Sequence, residues 1–105
     1  MQIIFTAILG ASIVLPAQAV ERVVKMDYLA CNPERQFDRA ERLRMSGDTK
    51  ALQEFTAGAL LSGTCVSLKT GTSVFAAGSG KGPGIIRIRP KGSFKTFFTS
   101  EAAIR

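Results

Sequence analysis

Arg87, Arg89 and Lys91 recur at every second position near the end of this 105-residue chain. Side chains alternate across a β-strand, so in an extended segment these cations share one face while Ile86 and Ile88 share the other. An arginine fork takes a carboxylate or phosphate through two parallel hydrogen bonds, and a row of such groups suits an anionic ligand or partner. Lys81 and Lys95 lie on neighbouring segments, and Phe94, Phe97 and Phe98 add apolar surface nearby. The competing reading of the same charges is solubility alone, because net charge by itself keeps a small domain dispersed.

Sulfur offers the second chemistry. Cys31 and Cys65 are the only cysteines, 34 steps apart, and an even count in an exported chain predicts one disulfide. A loop of that length gives a chain-entropy contribution of about 3 to 4 kcal/mol. The chain has no histidine. Neither cysteine therefore has the usual partner of a thiol nucleophile or a zinc site, and a Ser-His-Asp arrangement is excluded. Glu34, Asp38 and Glu41 share a helical face, and paired carboxylates are what glycoside hydrolysis requires. Interleaved arginines turn that face into a solvated, ion-paired surface instead. Ala77 to Gly84 is glycine-rich, yet Gly82 stands where a phosphate-binding loop needs Ser or Thr, Pro83 stands where a dinucleotide fingerprint needs glycine, and a strand follows rather than a helix. The chain reads as a non-enzyme with no cofactor and no metal.

The elements that position these groups begin after an export signal. Ile3 to Leu15 is nearly unbroken apolar sequence, Pro16 interrupts it, and Ala17-Gln18-Ala19 supplies a small-x-small cleavage pattern. A stretch of thirteen residues falls short of the roughly 20 that a membrane-spanning helix needs. Residues 1–19 are thus expected to be a cleaved signal peptide and residues 20–105 a single mature domain, periplasmic or secreted, with no stable membrane span after cleavage. The other reading, an uncleaved tether, rests on the absence of Lys or Arg before the apolar run. A mature domain of 86 residues buries a thin core, which makes a covalent staple valuable.

Charge divides that domain in two. The span 32–63 carries five basic and five acidic residues, whereas 64–105 carries seven basic residues against the single Glu101, so the whole net charge of +6 lies there. The neutral span reads as a helical hairpin. Asn32 and Pro33 open its first helix, Phe37, Ala40 and Leu43 form a stripe, and Asp38 is spaced to pair with Arg42. Gly47 stops the helix. Asp48 caps the second helix, in which Leu52, Phe55, Thr56 and Ala59 share a face before Gly63. A helix-turn-helix for DNA is a third reading, disfavoured by a hairpin without net charge and by export, and no nucleic-acid partner is expected. Arg22 to Ala30 reads as a first strand. The basic span reads as strands at 65–68, 72–76, 85–89 and 94–99, with a loop over 77–84 and a capped turn over Ser100 to Ala103.

The stretch Leu68-Lys69-Thr70-Gly71-Thr72-Ser73-Val74, the strand Ile86 to Arg89, Gly92 and the closing turn at Ser100 to Ala103 resemble the bacterial SH3-type small β-barrel, over 64–105 only. That family commonly places tryptophans in its third strand and after the late glycine; this chain has none, so Phe97 and Phe98 would have to substitute. The resemblance implies a small SH3-like barrel; with the helical hairpin and the cysteine pair read above, the expected fold is α+β, the hairpin packed on that basic barrel and tied to it by Cys31 and Cys65. The expected function is a non-catalytic binding or accessory role in the bacterial cell envelope. Arg87, Arg89, Lys91 and Lys95 would contact an envelope protein or an anionic cell-wall component. The alternative is a secreted inhibitor or antagonist of an enzyme or toxin, presenting the loop Gly78 to Gly84.

Overall fold

The computed structural model describes residues 20–105, and the expected leader, residues 1–19, lies outside them. Helix α1 spans Glu34–Ser46, free of interior Gly or Pro, with Glu34 in its first turn and Arg44 in its last, where each complements the helix dipole. Phe37 and Ala40 are its buried residues, and Leu43 is half-buried. Gly47 ends it in the left-handed conformation, φ 79°. Helix α2 spans Thr49–Ser62, capped by the Asp48 carboxylate, which accepts from the Ala51 amide at 3.0 Å. Such a cap contributes about 1 kcal/mol. Arg39 sits over the Phe55 ring, 5.5 Å from its centroid, and joins the two helices.

Two expectations for the hairpin are corrected. Asn32 does not cap α1, whose N-cap is Pro33 without a side-chain bond. The Asn32 backbone amide donates to Thr64 O at 2.9 Å and its side-chain amide donates to Thr96 O at 2.9 Å, which holds the side chain on the strands rather than the helix. Asp38 and Arg42 form no ion pair; the pair on this helix is Glu41 with Arg44, one turn apart, where Tyr28 also accepts from Arg44.

The strands are β1 (Glu21–Val23), β2 (Tyr28–Cys31), β3 (Cys65–Leu68), β4 (Ser73–Ser79), β5 (Ile85–Pro90) and β6 (Phe97–Ser100). They form one antiparallel sheet in the order β1-β4-β5-β6-β2-β3. A 3₁₀ turn at Glu101–Ala103, capped by the Ser100 hydroxyl, carries the chain back to β1, where Ile104 bridges Val24 and the Arg105 amide donates to Val23 O.

Three strand boundaries differ from those expected by more than one residue. The single strand over Arg22 to Ala30 is two strands, because the Asp27 carboxylate accepts from both the amide and the hydroxyl of Thr70 at 2.8 Å and turns the chain. β4 runs on through Ala77 and Gly78 to Ser79, with a bulge between Ala76 and Gly78, which reduces the loop to residues 80–84. The last strand starts at Phe97 rather than Phe94, which is fully exposed.

Two cores result. The inner one joins Val24, Ala30, Leu68, Val74, Ile86, Ile88, Phe97 and Ile104. The second lies between the hairpin and the sheet, where Phe37, Ala59 and the bonded Cys31–Cys65 pair pack with Leu29, Phe55, Ile85 and Phe98. Burying a large aliphatic or aromatic side chain contributes about 1.5 to 3 kcal/mol, against 0 to 1 for an exposed ion pair, so these clusters outweigh the charged helix face. Thr99, the buried polar residue of the fold, donates to Leu29 O at 2.9 Å and joins β6 to β2 where their ladder is a single residue pair.

Candidate functional site

β5 sorts its side chains as the alternation requires: Ile86 and Ile88 are buried in the inner core, and Arg87 and Arg89 stand on the outer face. The neighbouring strand fixes both guanidinium groups. Arg89 lies opposite Phe75 in the β4–β5 register, and its guanidinium carbon sits 4.7 Å from the Phe75 ring centroid, a cation–π contact. Its Nη1 donates to Ser93 O at 3.0 Å. Arg87 lies opposite Gly78 and donates from Nε and Nη2 to Ala77 O, at 3.2 and 2.6 Å. The bulge supplies that acceptor, since the residue left out of register at Ala77 has its carbonyl available to a side chain. Gly78, at φ 138°, supplies the room: a Cβ there would stand 3.3 Å from Arg87 Nη2.

Carbonyls and a ring hold these two arginines, and no carboxylate neutralises either one among the described residues. Five N–H donors per guanidinium leave several for a ligand on each. Lys91 continues the chain into the turn, with its Nζ 3.6 Å from Glu21 Oε2, so its charge is partly met. Lys95 stands apart. It lines two grooves, one with Asn32 and Ser62 to Thr64 and one with Val66 to Leu68, Pro90 and Ser93, and neither is lined by Arg87, Arg89 or Lys91. Of the four predicted residues, Arg87 and Arg89 are held on the outer face of β5, Lys91 is paired with Glu21, and Lys95 lines grooves that the other three do not.

Two further clusters escaped the sequence reading. Glu34, at the start of α1, reaches the glycine loop, where its two carboxylate oxygens accept from the Lys81 and Gly82 amides at 2.9 and 3.0 Å. Those two bonds, the Gly82 one foremost, hold its carboxyl below the ordinary glutamate range. Gly80 permits the approach, because a Cβ there would collide with Ile85 Cγ2 at 2.5 Å and Glu34 Oε2 at 2.7 Å. Tyr28, Glu41 and Arg44 meet at a cavity of about 260 Å³ between the hairpin and β2, also lined by Leu29, Ala40 and Leu52. Burial, followed by the Glu41 charge, raises the Tyr28 phenol above its ordinary range. Sequence separations of 47 and 13 residues hide both clusters, and a glycine loop across from a helix-opening Glu is the only local hint. Among the described residues no three Cys, Asp or Glu side chains gather as a metal site. No protein-family model, curated protein or solved structure matches the chain.

Proposed function

We propose that this chain is a non-catalytic binding module of the bacterial envelope, built on an SH3-like barrel, that holds an anionic partner against Arg87 and Arg89. The observation that carries the reading is the pair of guanidinium groups fixed by Ala77 O, Ser93 O and the Phe75 ring without a carboxylate. A cation ordered in advance by neutral groups keeps its charge for a ligand and loses little side-chain entropy on binding. The ring of pairings from β1 through β4, β5 and β6 and back through Ile104 to Val24 supports the barrel. The disulfide fits an oxidising compartment outside the cytoplasm. The inhibitor reading has less support, because its contact loop is short and tied to α1 through Glu34.

The test is Arg87→Ser with Arg89→Ser, assayed for sedimentation with isolated envelope fractions at low and high salt. Wild type binds at low salt and is released by salt. The double variant loses at least about tenfold in affinity, the equivalent of removing one or more charged hydrogen bonds. Binding that is equal for both proteins and indifferent to salt rejects the arginine face.

A further inference from the structure

The two ends of the sheet differ in how they are finished. β1 pairs with β4 on one side, and on the other its backbone is met by the C-terminal segment, with Arg105 N donating to Val23 O and Lys25 N donating to Ala103 O. β3 pairs with β2 alone. The register fixes which of its peptide groups are used. Asn32 N donates to Thr64 O at 2.9 Å, so Val66 and Leu68, two and four residues on, also face β2 with their backbone groups. Cys31 and Cys65 then form a wide-ladder pair without mutual hydrogen bonds, as their 4.0 Å Cα separation requires. Leu29 O, opposite Ser67, points away from β3 and accepts from Thr99 on β6. The N–H and C=O of Ser67 accordingly point outward from the sheet, and no backbone or side-chain group among the described residues meets them.

A groove of about 340 Å³ runs beside this edge. Val66, Leu68, Pro90 and Phe97 give it apolar walls, Ser67, Ser93 and Lys95 its polar ones, and no carboxylate lines it. Two exposed apolar side chains are near lining residues in sequence: Phe94, between Ser93 and Lys95, is fully exposed, and Leu61, two residues before Gly63, is 91 % exposed.

We propose that β3 is an acceptor edge for an extended acidic peptide segment of a partner protein, which adds as a seventh strand through the Ser67 peptide group. Main-chain bonds supply the affinity in such strand addition, and side chains on alternate residues of the guest supply the specificity. Charge selects the occupant. The groove carries Lys95 and no acid, and the span 64–105 holds the whole net charge of +6, so an acidic guest is attracted. A second copy of this basic span would be repelled. Neither Arg87 nor Arg89 lines the groove; Arg89 reaches its wall only through the bond to Ser93 O, and Arg87 is held by Ala77 O outside it.

The experiment titrates the disulfide-bonded protein with a blocked octapeptide alternating valine and glutamate, and with its valine–lysine counterpart, by backbone amide NMR. The acidic peptide shifts the Ser67 amide and slows its hydrogen exchange, and the basic peptide does neither. Ser67→Pro removes a donor that the folded ladder does not use and abolishes the acidic peptide's effect, while the remaining amide spectrum shows the fold intact. Lys95→Glu, which leaves every backbone group in place, weakens acidic binding at least threefold. Arg87→Ser, at a guanidinium held by Ala77 O and not by any residue that lines the groove, leaves it unchanged. Equal binding of the two peptides, no shift at Ser67, or a Ser67 amide protected without peptide in a concentration-dependent way (a second copy on the edge) each overturns the proposal.

Discussion

Glu34 shows how one carboxylate can take over a loop that resembles a phosphate cradle. The amides of Lys81 and Gly82 converge as they would on an anion, and the anion they hold belongs to α1 of the same chain. Its lowered pKa gives a definite pH dependence. A carboxyl whose folded value lies below its unfolded one, ordinarily about 4.3, stabilises the fold fully above that value. The contribution disappears as pH falls through the lowered folded value. Asp27, lowered chiefly by the Thr70 amide and then by its hydroxyl, acts in the same direction. Glu34→Gln is therefore expected to flatten the acid limb of a stability–pH curve measured by urea unfolding between pH 2 and 7, with little change in its slope near neutrality. An acid limb as steep in the variant as in wild type would show that the loop does not depend on this latch.

At the scale of elements, the β4 bulge matters most for the candidate site. It places Ala77 O where Arg87 can use it, and it depends on Gly78 at φ 138°, a region that side-chain-bearing residues rarely occupy. Gly78→Ala adds backbone strain of about 1 to 3 kcal/mol and places a methyl group against the Arg87 guanidinium. Chemical denaturation should show a loss in that range. Envelope binding should weaken by more than the lost stability explains, because Arg87 is displaced from its carbonyl. A variant as stable as wild type, with unaltered binding, would remove the bulge from the account of the site. The helices behave more simply: glycines stop both, and Asp48 starts the second.

For the whole molecule, the Cys31–Cys65 bond closes the base of the hairpin and lies in the core that joins helices to sheet. A domain this small has a net stability of only about 5 to 15 kcal/mol, so about 3 to 4 kcal/mol from loop closure is a large share. Reduction, or Cys31→Ser with Cys65→Ser, is expected to lower the melting temperature by roughly 12 to 32 °C, followed by circular dichroism. A shift of under about 3 °C would mean that the two cores hold the hairpin without the bond. No helix among the described residues is long and apolar enough to cross a membrane.

Local sequence determined what local chemistry can determine. The alternation Ile86-Arg87-Ile88-Arg89 sorts itself across a strand because successive side chains point to opposite faces, and Gly47, Asp48 and Gly63 end or begin helices through their own backbone preferences. Two cysteines in a basic chain with an apolar start indicated one bridge. Tertiary structure decided the partners. Asn32 abandoned its cap for Thr96, and Asp38 and Arg42 stayed apart. Glu34 found amides 47 and 48 residues away, and the open edge fell to β3 because the C-terminal segment covers β1. The physical reason is common to all of these. A polar side chain on the surface has several nearly equal hydrogen-bond partners, each contributing about 1 kcal/mol, and only burial of the apolar cores fixes which one lies within 3 Å.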